Sequence, residues 1–482
     1  MNHTVDKEAA LDAVIFELKA KAEQAGLGYN QPTDCHFPPE PAPPEFSDES
    51  LAMDFADRHK DELRYVAAWN KWLKYSGGVW RFDDTLNVFD LARRVCREAA
   101  ARCRIPRTAG ALASSKTVAA IVSLARADRR IAATTDQWDT DPWLLNTPGG
   151  AVDLRTGNMR PHQSNDYCTK MTAVAPGGEC PQWLDFLNRI TNDDSELVAF
   201  HRRVFGYGLT GITREHAMFF HYGTGANGKS TLIGTATHVL GDYAGVAAAE
   251  TFTASGLERH PTEIAGLRGL RLVTAIETEE GKRWAESKIK TLTGGDAISA
   301  RFMRQDFFTF TPQFKLIVAG NHKPQLRNVD AAIQRRLHLV PFSAYIEPDQ
   351  RDHRLSEKLK AESPGILAWM IEGCREWQQI GLASPACVTG ATAEYFETED
   401  SLARWLADCC DIDPQGRAES GELFASWKMW AETVGEWVSN QKVFGQRLQD
   451  RGFTPHRGQA GRRGYIGLAL KCDDNAGQWW SR

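Results

Sequence analysis

The stretch from Ala217 to Thr231, "AMFFHYGTGANGKST", sets a short apolar run directly ahead of a glycine-rich loop, and the helical pattern "TLIGTATHVL" follows. Few features restrict a fold so strongly. An apolar run without alternation is what a strand shows when both of its faces are covered, which requires helices on either side of a parallel sheet. Two more such runs follow, "RLVTAI" ending at Ile276 and "FKLIVAGN" ending at Asn321, each succeeded by a polar loop. Residues 180–385 are therefore expected to form an α/β layer. Helices fill the gaps between the runs: "SPGILAWMIEGCREW" opens with Ser363 as its cap and Pro364 in its first turn.

The loop itself fits the pattern G-x-x-x-x-G-K-[ST], through Gly223, Gly228, Lys229 and Ser230. In a strand-loop-helix setting, glycines let backbone N–H groups converge on phosphates at a helix N-terminus. The segment Gly223, Thr224, Gly225, Ala226, Asn227, Gly228, Lys229, Ser230 and Thr231 is the candidate nucleotide cradle. Lys229 is expected on the β- and γ-phosphates of ATP, and Ser230 on Mg²⁺. Such a site also needs acids at the end of a buried strand. Glu277, Glu279 and Glu280 follow "RLVTAI" directly, and Glu277 is a candidate second metal ligand.

Downstream, "ESKIKTLTGGDAISARFMRQDFFTFTPQFKLIVAGNHKP" reads as a basic helix end, a tight turn and a hairpin around "MRQD". A strand ending in Asn321 follows. Lys288, Lys290, Arg301 and Arg304 are candidate phosphate contacts for a nucleic acid strand, and Asn321 is a candidate for orienting attacking water. In "AIQRRLHLVPF", Arg335 and Arg336 are candidates for an arginine that reaches a neighbouring subunit's nucleotide.

The flanking segments are different in kind. Residues 1–50 hold an amphipathic helix (Leu11, Val14, Ile15, Leu18) and a proline-rich linker. Residues 51–175 read as an α+β module, with strands around a Ser-Gly-Gly turn, a helix facing inward through Val88, Leu91, Ala92 and Val95, and small hairpins in "WDTDPWLLNTPGGAVDLRTGNMRPH". In residues 398–482, three helical patterns precede two short strands around a basic turn, the order of a winged helix. The net charge is -5, yet between Lys442 and Lys471 the lysines and arginines (442, 447, 451, 457, 462, 463, 471) face one acid, Asp450. Lys442, Arg462 and Arg463 are the candidate DNA contacts there. The ten cysteines show no CxxC pair and no zinc spacing, so they are read as reduced thiols, with Cys409 on the apolar face of Leu402, Trp405 and Leu406. No run reaches the length of a membrane span and no secretory signal opens the chain, so a cytoplasmic location in a bacterial host is expected.

With "GTGANGKST", "IETEE", "IKTLTGGD", "AGNHKP" and "RRLHLVPF" in this order, the sequence resembles the superfamily 3 helicases, specifically the poxvirus, phage and plasmid primase-helicase type. The resemblance extends over the preceding module and the C-terminal one. It implies a P-loop NTPase core of AAA+-like type, and a homo-hexameric ring that hydrolyses ATP at subunit interfaces and moves along single-stranded or forked DNA. It assigns Glu277 and Glu279 as the acids, Asn321 as sensor and Arg336 as the arginine offered to the neighbour, with Arg335 as the alternative. The short segment ahead of the module carries no primer-making domain, so a separate primase or replication partner is expected. Asp139 and Asp141 are read as structural. An ATP-controlled initiator or scaffold, or a complete primase-helicase, are the competing readings.

Overall fold

Four helices whose apolar residues recur at three- and four-residue spacing gather into one unit, built from residues 42–60 and 85–131. The computed structural model describes residues 42–254, 262–276, 282–303, 306–326, 329–436, 438–457 and 461–471. The expected N-terminal amphipathic helix, Glu277, Glu279, Glu280 and Arg304 lie outside the described residues. In the first unit, α1 (Asp48–His59) starts at Ser47, whose hydroxyl accepts from the Ser50 amide at 3.1 Å. The others are α2 (Asn87–Arg102), α3 (Pro106–Leu112) and α4 (Ser115–Ala125). Leu51 and Phe55 of α1, Val118, Ile121 and Val122 of α4, and the expected α2 face of Val88, Leu91, Ala92 and Val95 are buried.

The strands that flank this unit in sequence belong to the second unit, residues 61–84 with 132–482. There β1 (Leu63–Val66), β2 (Lys71–Ser76), β3 (Val79–Phe82) and β4 (Ala132–Ala133) form a sheet in the order β3-β2-β1-β4. Trp80 and Trp138 pack edge to face beneath it at 5.7 Å. The expected hairpins follow as β5 (Leu144–Thr147), β6 (Gly150–Asp153) and β7 (Asn158–Arg160).

Helices α5 (Pro181–Ile190) and α6 (Ser195–Leu209) then lead into the large sheet. Its strands are β8 (Met218–Tyr222), β9 (Ala244–Val246), β10 (Leu272–Ile276), β13 (Lys315–Gly320) and β14 (Leu337–Pro341), in the order β14-β8-β13-β10-β9 with every neighbour parallel. The antiparallel hairpin β11 (Ile298–Ala300) and β12 (Phe308–Phe310) stands apart from it. All six residues of β13 are buried, as its run from Leu316 to Gly320 requires, and the ammonium of Lys315 at its start is met by the carbonyls of Thr210, Ile212 and Gln313. Between the strands lie α7 (Lys229–Leu240), α8 (Thr262–Ala265), α9 (Glu286–Thr293) and α10 (Ala331–Gln334). After them come α11 (Leu355–Ala361), α12 (Ser363–Ile380) and α13 (Ala386–Glu399).

Ser363 is the first residue of α12 rather than its cap. The reason is crowding: α11 ends at Ala361, so only Glu362 separates the two helices. The Glu362 carboxylate serves a neighbour instead, accepting from the Gln182 and Trp183 amides at 3.1 and 2.9 Å, where α5 has unpaired N–H groups.

The C-terminal segment builds its own core. Leu402, Trp405 and Leu406 of α14 (Ser401–Cys409) meet Leu423 and Trp427 of α15 (Ser420–Thr433) and Phe444 and Leu448 of α16 (Gln441–Asp450). Cys409 packs against this cluster as its helical position predicts. Strands β16 (Arg417–Glu419), β17 (Thr454–Arg457) and β18 (Arg463–Ile466) pair in the order β16-β18-β17, and β15 (Cys410–Asp411) pairs with β19 (Ala469–Leu470).

The packing of α6 on α12 depends on two glycines. A Cβ at Gly373 would stand 2.0 Å from the Arg202 carbonyl oxygen, and one at Gly206 would stand 2.1 Å from the Cys374 amide. Backbone atoms cannot yield as side chains do. Gly373→Ala is therefore expected to destabilise the fold by about 1–3 kcal/mol, through overpacking, as read by urea unfolding. An unchanged midpoint would show that the two helices separate freely.

Candidate functional site

The site is assembled by strand register. In the parallel pair of β8 and β13, Gly320 stands opposite Tyr222, so the residues that follow them, Asn321 and Gly223, emerge side by side at the C-terminal edge of the sheet. Open α/β sheets bind ligands at that edge. Lys229, the first residue of α7, is buried, and its ammonium donates to the Gly223 carbonyl at 2.7 Å, to Asn227 Oδ1 at 3.0 Å and to Asn321 Oδ1 at 3.4 Å. Burial holds the Lys229 pKa below the ordinary lysine value.

Local conformation explains the glycines. Gly223 has φ 154° and a Cβ there would lie 2.2 Å from the Phe342 carbonyl oxygen; Gly228 has φ 83° and a Cβ would lie 2.4 Å from Ile190 Cγ2. Both ends of the loop are thus closed to larger residues. The loop is braced from the segment after β14: the Ile346 amide donates to Ala226 at 3.1 Å, and Asn227 Nδ2 donates to the Phe342 carbonyl at 3.2 Å. Among the described residues, no acceptor meets the backbone N–H groups of Thr224, Gly225, Ala226, Asn227 or Gly228. A set of unpaired donors around a lysine ammonium suits an anion of several oxygens. Ser230 is exposed at the same helix start, and Thr231 is half-buried beside it.

Asn227 does more than its place in the motif indicates. It is buried, and its amide bridges Lys229 to the segment after β14, which only a side chain with both donor and acceptor can do. The x positions of the sequence pattern carry no signal for this.

Beneath the loop lie two fully buried imidazoles, His201 of α6 and His221 of β8, with ring centroids 5.5 Å apart at 86°. None of their ring nitrogens has a hydrogen-bond partner among the described residues. Burial pushes His201 down to about 4, and burial, then His201, then Lys229 push His221 well below the ordinary value.

The other candidate residues divide into groups. Arg336 is 7% exposed, and its guanidinium donates to Thr293 Oγ1 at 3.2 Å and to the Ala332 carbonyl at 2.7 Å, both within the chain. Arg335 is exposed. Lys290 is ion-paired with Asp330, the cap of α10, whereas Lys288 is half-buried beside it in α9. Arg301 lies over the Phe307 ring at 4.6 Å. Around it the hairpin tip exposes Phe302 (39%), Met303 (67%) and Phe307 (59%), apolar residues that charge-based reading passes over. Lys442, Arg462 and Arg463 come together in one groove of about 1020 Å³ between α16 and strands β17 and β18, and Arg462 pairs there with Glu419 at 3.0 Å. Asp139 accepts from the Thr169 amide at 2.8 Å, tying two distant segments together, and Asp141 accepts from the Trp143 amide at 2.9 Å, a local turn contact; both are structural.

Residues 52–192 match the family described as D5 N terminal like, and residues 221–336, from the strand before the loop to Arg336, match a family of unknown function, DUF5906. The chain is 27% identical over 295 residues to "Putative helicase L207/L206" of Acanthamoeba polyphaga mimivirus, covering 56% of this chain and 31% of the relative. It is 24% identical over 335 residues to "Putative helicase 121R" of Invertebrate iridescent virus 3, covering 61% and 36%. It thus spans about a third of the length of these relatives. Among solved structures, the apo C-terminal region of NrS-1 aligns with a TM-score of 0.46 at 9% identity, covering 87% of this chain and 98% of that one.

The buried histidines make stability depend on pH. A histidine whose pKa is depressed by folding binds protons more readily when unfolded, so its stabilising effect is complete above the ordinary value of 6.5 and is lost as pH falls from there toward 4. The loss approaches about 1.4 kcal/mol per pH unit for each such group. Denaturant unfolding of the wild type between these pH values is expected to show this slope, and His201→Phe to make it shallower. An equal slope in the variant would contradict the assignment.

Proposed function

We propose that this chain, a relative of viral proteins named as helicases with a D5 N-terminal-like domain, is the ATP-dependent DNA helicase core of a viral, phage or plasmid replication system. The observation that carries the reading is the convergence of the Lys229 ammonium, the Gly223–Gly228 loop and Asn321 at one edge of a parallel sheet. The strand order, in which the loop-bearing strand lies between β14 and β13, fits a P-loop core of AAA+-like type.

The unpaired loop amides and Lys229 fit the phosphates of ATP, Ser230 and Glu277 would hold Mg²⁺, and Glu277 and Glu279 are the acids that divide metal binding and water activation between them. The bound nucleotide supplies a phosphoanhydride bond whose cleavage drives movement. Within the chain, Lys229 holds negative charge at the loop, Asn227 fixes the Lys229 ammonium, and Asn321 orients water on the open side. Arg335, exposed just past α10, is assigned the contact to a neighbouring subunit's site in a ring, usually a hexamer. Arg336 instead ties the start of β14 to the end of α9.

Movement on DNA is assigned to the hairpin. Phe302, stacked on Phe308, and Phe307, beneath Arg301, still expose apolar ring surface for unstacked bases, while Lys288, Arg301 and Arg304 supply charge for phosphates. The C-terminal segment follows winged-helix order, and its groove of Lys442, Arg462 and Arg463 suits a nucleic acid backbone. No single helix among the described residues is long and apolar enough to cross a membrane.

The test is strand displacement on a forked DNA with Mg²⁺ and ATP. The wild type is expected to hydrolyse ATP and displace the strand, whereas Lys229→Ala loses both activities by at least about 100-fold with an unchanged circular dichroism spectrum. Hydrolysis without displacement would favour an ATP-controlled initiator, and a Lys229→Ala variant that hydrolyses ATP normally would overturn the site. Arg335→Ala is expected to bind nucleotide but hydrolyse it poorly, with partial recovery on mixing with Lys229→Ala, since a mixed ring contains some composite sites with both groups. No recovery in mixtures that exchange subunits would refute the role in trans.

A further inference from the structure

The helical first unit carries a charge that the chain as a whole conceals. Between Thr85 and Ile131 there are ten lysines and arginines and three acids, a local balance of +7, and with the two bases and five acids of residues 42–60 the unit's described part still stands at +4 in a chain of net charge -5. Nine of the ten are arginines. The burial pattern turns them outward: Val88, Leu91, Val95 and Ala99 bury one face of α2, and by helical period Arg93, Arg94 and Arg97 fall on the opposite, exposed face. Arg102 and Arg104 at the end of α2, Arg107 in α3 and Lys116 in α4 are also exposed.

Most of these charges have no ion-pair partner within the unit; Arg94 and Arg130 do. Of the acids of α1, Asp54 pairs with Arg58 and Asp57 with Lys60 and Arg130, while Asp90 pairs with Arg94 and Glu98 with Arg58; Asp48 and Glu49, in the first turn of α1, form no ion pair with the arginines of α2 and α3 among the described residues. Among the described residues, Arg93, Arg97, Arg102, Arg104, Arg107 and Lys116 have no ion-pair or hydrogen-bond partner on their side chains. Uncompensated like charges on so small a surface repel one another and cost stability unless a polyanion meets them.

We infer that this face of the helical unit binds the phosphate backbone of duplex DNA, at a site separate from the nucleotide loop, the hairpin and the C-terminal groove. Guanidinium groups bond phosphate oxygens in pairs, which suits a surface built from arginine rather than lysine. The aromatic residues of the unit's described part, Phe46, Phe55 and Phe89, are none of them exposed, so the face has no platform on which unpaired bases would stack. Duplex DNA, with two strands of phosphate, is the better fit. An anionic lipid surface would instead call for an apolar helix face turned outward; that of α2 is turned into the unit, and the exposed apolar residues Met53, Leu86, Ile105 and Leu124 come from different elements rather than from one helix face. The choice of DNA as the polyanion rests on the helicase reading above; the face would hold duplex while the hairpin handles a single strand.

The probe is a fluorescein-labelled blunt duplex of about 20 base pairs, titrated with the full chain without nucleotide at several NaCl concentrations between about 50 and 200 mM. Arg93→Glu/Arg97→Glu/Arg107→Glu is expected to weaken binding at least about tenfold and to make the logarithmic salt slope shallower by about 3, near 0.9 for each phosphate no longer neutralised. Its ATP hydrolysis without DNA is expected to be unchanged, and Lys229→Ala is expected to bind duplex as the wild type does. Failure of the hydrolysis reading therefore leaves the duplex measurement standing, and the reverse. Duplex affinity and slope equal to wild type in the triple variant would overturn the inference. So would a loss confined to phosphatidylserine vesicles with duplex binding intact. If the triple variant does not fold, Arg104→Gln/Lys116→Gln reads the same quantity, with a slope change of about 2 expected and no change overturning the inference.

Discussion

The register of β8 against β13 is the constraint on which the site depends. Because Gly320 stands opposite Tyr222, two chain segments separated by nearly a hundred residues leave the sheet side by side, one carrying the glycine loop and the other Asn321. A shift of one residue would turn every side chain of β13 to the other face and move Asn321 away from the Lys229 ammonium. That register is secured by burial on both sides: β13 is buried along its whole length, and Phe219, Phe220 and Ile317 occupy the layers above and below. Packing therefore determines the chemistry at the sheet's edge.

The same edge collects polar groups that would be costly in isolation. Lys229 is buried beside two imidazoles that lack partners, and its charge is met by carbonyl and amide oxygens alone among the described residues. Asn227 closes the arrangement by bonding in both directions. The three N–H donors of Lys229 thus have acceptors, but no carboxylate balances its charge among the described residues, which suits a cation that receives phosphate.

Much of this was legible in the residues. The unbroken apolar runs marked the parallel strands, and the glycine spacing marked the loop. Lys442, Arg462 and Arg463 were identifiable as charge and prove to line one groove. The rest was hidden for identifiable reasons. Nothing in "RR" tells which of Arg335 and Arg336 turns inward, because that depends on Thr293 lying within reach across the fold. Ser363 has the composition of a cap, yet the arrival of α11 moves the helix start onto Glu362. The arginines of α2 and α3 were plain to count over a window of some 50 residues, but a whole-chain charge of -5 averages them away. The separation of the helical unit from the strands around it is equally invisible, since the chain crosses between them in mid-module.

On the proposed reading, the glycine loop and the residue after β13 hold one nucleotide together, which a crystal structure with Mg²⁺ and a non-hydrolysable ATP analogue would reveal. The triphosphate is expected along the backbone amides of residues 224–228, with its terminal phosphate within hydrogen-bond distance of both the Lys229 ammonium and the Asn321 side chain. A nucleotide bound elsewhere, or one held by the loop with Asn321 out of reach, would contradict it.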